Sequence, residues 1–353
     1  MNCRYLGGSL RIITLIVLAP VATTAQGTNR GTAPKTPWGD PDLQGTYTNK
    51  TITPVQRPDE LGERAFLTDE EIAELEREQV QRNARLLLRP ALRTTVSDVD
   101  RGVDGAPGAY NNFWLDGGTR PTGRTSLIVD PPSGRIPPVT AEFERLTATR
   151  AAARLARGPA DSWEDFQLND RCLVWSAGPP MMPGPYNNTY MILQTPEHVV
   201  IQVEMIHDTR IIPLDGRPHL TSAVRQHLGD MRGHWEGNTL VVETTNIART
   251  EADPGAQGSD VILLRASNGR SDDTIRVIER FTRVDSDSIR YEFTIDDPTR
   301  WTRSFSGEFP FVRIGERIYE YACHEGNYSM PTMLGGERLQ EAVTTSRSPN
   351  RPR

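Results

Sequence analysis

The chain has 353 residues, 36% of them hydrophobic and 24% charged, enough to bury a real core as one large domain or two smaller ones. Its formal charge of −6, with no basic stripe interleaved with aromatics, argues against nucleic acid as a partner. With 29 Gly and 27 Pro, much of the backbone is expected to be loop or extended rather than helical.

The first residues read as a targeting segment. Arg4 and Arg11 supply positive charge, Ile12 to Val21 is a short apolar run, and Thr23-Thr24-Ala25 fits a small-residue cleavage site. The apolar run is about half the roughly 20 residues a spanning helix needs, and no later stretch is expected to cross a membrane. A cleaved signal over residues 1–25 is therefore expected, with a mature chain starting near Gln26 in the periplasm or outside the cell. No cysteine follows the apolar run to carry a lipid anchor. Export leaves Cys172 and Cys323 together in an oxidising compartment, where a disulfide is expected in preference to two buried thiols.

After a polar linker from Gly27 to Lys35, Leu43 to Thr48 reads as a short strand, followed by an extended, Pro-bearing run to Pro58. Thr68-Asp69-Glu70-Glu71 is a capping box that opens a helix running to about Leu87, with Ile72, Leu75, Val80 and Leu86 as its apolar stripe. Residues 95–139 are rich in Gly, Pro, Asp and Arg, and hold Phe113, Trp114 and the strand-like Ser126 to Val129. A second helix is expected from Thr140 to Ala156. Arg171 to Tyr186 is irregular and is expected to lie over the region that follows.

From residue 186 to about 345 alternation with period 2 takes over. Val199, Ile201, Val203 and Met205 share a face that His207 continues. Thr239 to Thr245 follows a turn at Glu236-Gly237-Asn238. Glu279 sits among Ile275, Val277 and Phe281, while Ile289, Tyr291, Phe293 and Ile295 face inward together. Arg303 falls on the face of Trp301, Phe305, Phe309 and Phe311. A last strand over 316–324 would place Glu320 and His324 with Ile318 and Ala322. Roughly eight such strands suit a closed barrel or a two-sheet sandwich. Closure removes edge strands, so the expectation is a mainly β protein: an antiparallel closed barrel, lipocalin- or calycin-like, over 186–345. The helical and irregular part over 26–185 would pack outside it.

These faces carry charge where apolar side chains are buried, and a buried charge must be paired, wetted or used. One reading is a structural Glu279–Arg303 pair. The other is a polar floor in a cavity, with His207, Glu279, Glu320 and His324 as acid–base groups and Arg303 binding an anionic group. The stretch from His207 to His234 is read as a loop dense in Asp, Arg and His. Arg210, Arg217, His234 and Trp235 are its ligand-binding candidates, and its guanidiniums suit a carboxylate or sulfate. Histidines 207, 219 and 234 could hold a metal, but HExxH is absent and a solvated loop of Arg–Asp pairs is preferred, so no cofactor is expected. GxSxG, a P-loop and GxGxxG are absent as well, which disfavours a conventional serine esterase, an NTPase and a dinucleotide enzyme.

Several longer blocks carry a resemblance. Gly45-Thr46-Tyr47, Phe66 to Glu71, Arg124 to Pro132 and Asp170-Arg171-Cys172-Leu173 are four of them. Met205 to Asp215, Gly233 to Val242, Glu279 to Arg283 and Tyr319 to Tyr328 complete the set. The chain resembles, over nearly all its mature length, a family of exported proteins common in Gram-negative soil bacteria. That resemblance implies export and one shared fold, and it assigns no catalytic roles. The sequence departs from the family pattern at Val174-Trp175-Ser176, where a Pro- or Gly-containing turn would be expected.

Two functions fit. One is an exported hydrolase or lyase using His and Glu as acid and base on a small anionic or amphipathic molecule. Two carboxylates could also serve glycoside chemistry, depending on their separation. The other is a non-catalytic barrel that holds such a molecule.

Overall fold

The computed structural model describes residues 34–88, 115–155, 160–166, 168–248 and 274–347. The expected signal, the start of the linker and the pair Phe113-Trp114 lie outside those residues. Ten strands form one sheet: β1 (Gly45–Thr48), β2 (Ile128–Asp130), β3 (Thr189–Gln194), β4 (His198–Val203), β5 (Thr209–Pro213), β6 (Asp230–Glu236), β7 (Thr239–Thr245), β8 (Arg276–Arg283), β9 (Ser288–Asp296) and β10 (Phe305–Arg313). Nine of them run round a nearly closed barrel in the order β5-β4-β3-β1-β10-β9-β8-β7-β6, and β2 pairs on the side with β10. The N-terminal part therefore does more than pack outside, because β1 is a stave of the barrel between β3 and β10.

Every neighbouring pair round that ring is antiparallel. An odd ring cannot alternate all the way round, so its two ends, β5 and β6, must point the same way. No strand ladder joins them. Side chains make the junction instead. Arg210 Nε of β5 donates to Met231 Sδ of β6 at 3.2 Å. A Cβ on Gly233 would sit 2.8 Å from both Ile212 Cγ2 and Leu214 Cδ2, so only glycine lets the strands approach this closely.

The interior is packed rather than open. Tyr47, Tyr190, Phe281, Tyr291, Phe293, Phe309 and Phe311 are all buried. The Tyr291 ring lies 5.0 Å from Phe309 and 5.2 Å from Phe311, a spacing typical of favourable aromatic pairs. The expected cover at 171–186 is sewn into this core. Ala177 and Met181 are fully buried, and Met181 N–H donates to Tyr291 Oη at 3.0 Å. Asn49 Nδ2 donates to the Met181 carbonyl at 2.9 Å.

Helix α1 (Asp69–Leu88) opens on the expected capping box, with Thr68 N–H donating to Glu71 Oε2 at 2.8 Å and Glu71 N–H to Thr68 Oγ1 at 3.3 Å. Its stripe is only partly covered, since Leu75 and Val80 are exposed. Helix α2 (Ala141–Leu155) agrees with the second expected helix. The strand expected over 316–324 does not form. The chain leaves β10 as an irregular segment and enters two helices, α3 (Cys323–Gly326) and α4 (Ser329–Arg347). With only Ile318 and Ala322 as apolar positions, that alternation buries too little to hold a strand.

Cys172 and Cys323 are bonded, with a Cα–Cα separation of 5.8 Å. The bond ties the cover to α3 rather than to a strand. Because 151 residues separate the two cysteines, loop-closure entropy alone gives the bond about 5 kcal/mol. A Cys172→Ser/Cys323→Ser variant should therefore unfold at much lower urea than the oxidised protein, and dithiothreitol should reproduce the shift. An unchanged urea midpoint would refute this.

Candidate functional site

Glu279 points inward on β8, as its alternation with Val277 and Phe281 requires. Its partner is Arg210 on β5, not Arg303. Arg210 Nη1 donates to Glu279 Oε1 at 2.9 Å, Nη2 donates to Oε2, and Tyr291 Oη donates to Oε1 at 2.7 Å. All three side chains are sealed from solvent. Burial pulls the Arg210 pKa down, but the charge and hydrogen bonds of Glu279 outweigh it and hold the guanidinium above its usual value. Burial, with Glu279 beside it, pushes the Tyr291 phenol well above the usual range. A charge cluster closed on itself in this way can pin β5 across the barrel to β8 and β9, but no substrate reaches it.

The other expected residues are dispersed. Arg303 lies exposed in the bend before β10 and pairs with Asp130 of β2 at 2.7 Å. The strand begins only at Phe305, so period 2 does not extend back to residue 303. Glu320 is exposed in the irregular segment after β10, and His324 is exposed on α3. Arg217 pairs with Asp215 at the surface, and His234 lies 3.1 Å from Glu236. Trp235 is half-buried, and its indole N–H has no partner. The 207–234 stretch is not a plain loop, since β5 and the start of β6 lie within it. Its histidines occupy separate settings. His219 meets Asp230 at 2.8 Å, whereas the His207 ring faces that of His324 at 6.0 Å. Among the described residues no three His, Cys, Asp or Glu side chains are gathered to hold a metal, and no helix is long and apolar enough to cross a membrane.

His207 does not continue the face of β4. It ends a 3-10 turn, Met205–His207, that reverses the chain into β5. Ile206 (φ 60) and His207 (φ 49) both take the left-handed conformation, which costs about 1–3 kcal/mol per residue and is least suited to a β-branched side chain. The turn seats the Ile206 side chain in the core and delivers Asp208 to the seam between β5 and β6.

A cleft of ≈ 530 Å³ opens there. Thr209 and Ile211 of β5 form one wall, Asp230 to Arg232 of β6 the other, and Leu173 and Val174 of the cover lie over it. Two ionisable side chains line it without being paired. Asp208 Oδ2 is buried with no hydrogen-bond partner, and so is His227 Nδ1. Burial pushes the Asp208 carboxyl up to about 7, and an N–H donated by Trp175 offsets only part of this. His227 is held below its usual value by burial and by the nearby charge of Arg171. Asp230, on the opposite wall, is already occupied, accepting from Leu220 N–H at 2.9 Å and from Arg232 Nη1 at 2.8 Å. Sequence reasoning passed over Asp208 and His227, since both sit in turns where no periodicity marks them. The one available signal was the β-branched Ile206 in a tight reversal.

Two measurements check these assignments. Removing one partner of a sealed ion pair leaves the other charge uncompensated, so Glu279→Gln should cost ~3–5 kcal/mol. Joint replacement, Arg210→Met/Glu279→Leu, should recover most of that; a Glu279→Gln variant as stable as the parent would refute the structural role. For Asp208, the folded pKa lies above that of the unfolded chain, so the contribution of this group to stability is most favourable below about pH 4 and is lost as pH rises towards 7. Asp208→Asn should match the parent at pH 4 and exceed it at pH 8, by on the order of 4 kcal/mol at most. Urea unfolding at the two pH values reads this directly, and a difference independent of pH would contradict it. In comparison with known proteins, the sequence matches no family model and no curated protein.

Proposed function

We propose that the protein is an exported acid–base enzyme, a hydrolase or lyase, that works in the cleft at the β5–β6 seam with Asp208 as proton donor and His227 as proton acceptor. One observation carries this reading: two half-buried ionisable groups line the same opening, and Asp208 Oδ2 and His227 Nδ1 are each buried without a hydrogen-bond partner. Their surroundings push them in opposite directions, so near pH 7 a carboxylic acid and a neutral imidazole are present together. Divergent pKa values of this kind are how one site holds an acid and a base at once. General acid–base help from such groups is worth about 10²–10⁴-fold. The mixed walls, with Leu173 and Ile211 among the polar groups, suit a small amphipathic substrate. Export is supported by the signal-like N-terminus and by the disulfide.

A second reading, a carrier of small apolar molecules, is favoured by a separate cleft of ≈ 520 Å³ beside α1, lined by Ile52, Pro54, Leu61, Leu67 and Leu75. A panel of aryl esters, anilides and β-hydroxy acids separates the two. Asp208→Asn and His227→Ala should each lower kcat/KM at least about 10²-fold while the fold persists. Full activity in both variants would overturn the enzyme assignment. Absence of turnover, with apolar compounds raising Tm in a Leu75-dependent way, would support the carrier.

A further inference from the structure

Two histidines that the seam cleft does not use face each other at the surface. His207 ends the strained turn between β4 and β5, and His324 is the second residue of α3. Their ring centres lie 6.0 Å apart, with the planes inclined by 37°. Both side chains are exposed, and among the described residues neither ring is hydrogen-bonded or ion-paired. The other histidines near the seam are placed differently: His219 meets Asp230, His234 meets Glu236, and His227 lines the cleft. Protonated together, two imidazoles in this arrangement repel one another, whereas a shared cation turns the same arrangement into a chelate.

The backbone holds the pair from both sides. Next to His207, Ile206 is buried in the core, and both residues keep left-handed φ values (49 and 60) that a relaxed chain would avoid. Next to His324, Cys323 is bonded to Cys172, which is itself buried in the cover. Two rings carried on anchored backbone have little freedom left to lose when they share a ligand. Their spacing suits one as well. With a metal about 2.0–2.1 Å from each imidazole nitrogen, two rings sharing one ion have their centres about 5–6 Å apart.

We propose that His207 and His324 bind one divalent transition ion, each through a ring nitrogen, with water completing its coordination. Imidazole donors favour Cu²⁺, Ni²⁺ and Zn²⁺ over Mg²⁺ and Ca²⁺, which take oxygen, and the general order of affinity puts Cu²⁺ first. Catalytic zinc ions take three protein ligands, so an ion held by two imidazoles exchanges with solution and keeps open positions. Bound there, it clips α3 to the turn that enters β5, a second fastening beside the Cys172–Cys323 bond. The site stands on the facing rings and their anchored backbone, and is independent of the acid–base reading.

Calorimetric titration of the chelator-treated, oxidised protein with the chlorides of Cu²⁺, Ni²⁺, Zn²⁺ and Mg²⁺ at constant ionic strength tests this. The parent should bind one Cu²⁺ per chain, Ni²⁺ and Zn²⁺ more weakly, and Mg²⁺ not at all. His207→Gln and His324→Gln should each weaken Cu²⁺ at least about tenfold. Of the two, His324→Gln changes an exposed helical position and leaves the strained turn untouched. His234→Gln removes an exposed ring beside Glu236 and should bind like the parent. The electron paramagnetic spectrum of the copper-loaded parent should show nitrogen couplings from two imidazoles, and that of either variant from one. No Cu²⁺ binding by the parent, equal weakening in His324→Gln and His234→Gln, or a copper spectrum unchanged in His324→Gln would overturn the site.

Discussion

An odd number of staves in an otherwise alternating ring forces one parallel junction, and this barrel places it between β5 and β6. The neighbouring antiparallel pairs share ladders of backbone hydrogen bonds, so this junction depends on side chains for closure. Parallel pairing is also slightly weaker per residue than antiparallel, so the seam is the natural place for a ladder to be missing. Met231, Gly233, Ile212 and Leu214 bring the strands together, and the ion pair of Arg210 with Glu279 holds β5 from across the core. The cleft lies along this junction because elsewhere the wall is continuous.

Two groups of polar residues thus have opposite fates. Arg210, Glu279 and Tyr291 satisfy one another and are closed to water, as a buried cluster must be to avoid a large desolvation cost. Asp208 and His227 are left with unmet hydrogen-bonding capacity, and the backbone before Asp208 is strained to keep it there. Strain and unpaired polar atoms both cost stability, and their coincidence at one cleft is the ground on which a site is proposed there. The disulfide and the buried Met181 fix the cover above that cleft, so its roof is as firmly placed as its walls.

Much of the barrel was legible because most of its strands face water on one side and core on the other, which writes a period of two into the chain. Glu279 was correctly placed by that period. Its partner was not, because Thr209-Arg210-Ile211-Ile212-Pro213 is a short strand ending in proline inside a charged stretch, and it reads as loop. Arg303 was misplaced by carrying the alternation of β10 back through residues that bend, and Glu320 by seeing a strand where too few apolar positions support one. That β1 inserts between β3 and β10 depends on pairings across long stretches of chain, to which local patterning is blind. Cys172 and Cys323 were legible by counting alone. The cleft residues were hidden for a simpler reason: a turn has no repeating face, and only the finished fold brings residue 208 to residue 227.

The side-chain junction also decides how the wall can deform. Widening the ring at any other position would break a ladder of backbone bonds, whereas at β5–β6 it is side-chain contacts, the Arg210–Glu279 pair among them, that resist it. Compliance is therefore concentrated in a single line along the barrel.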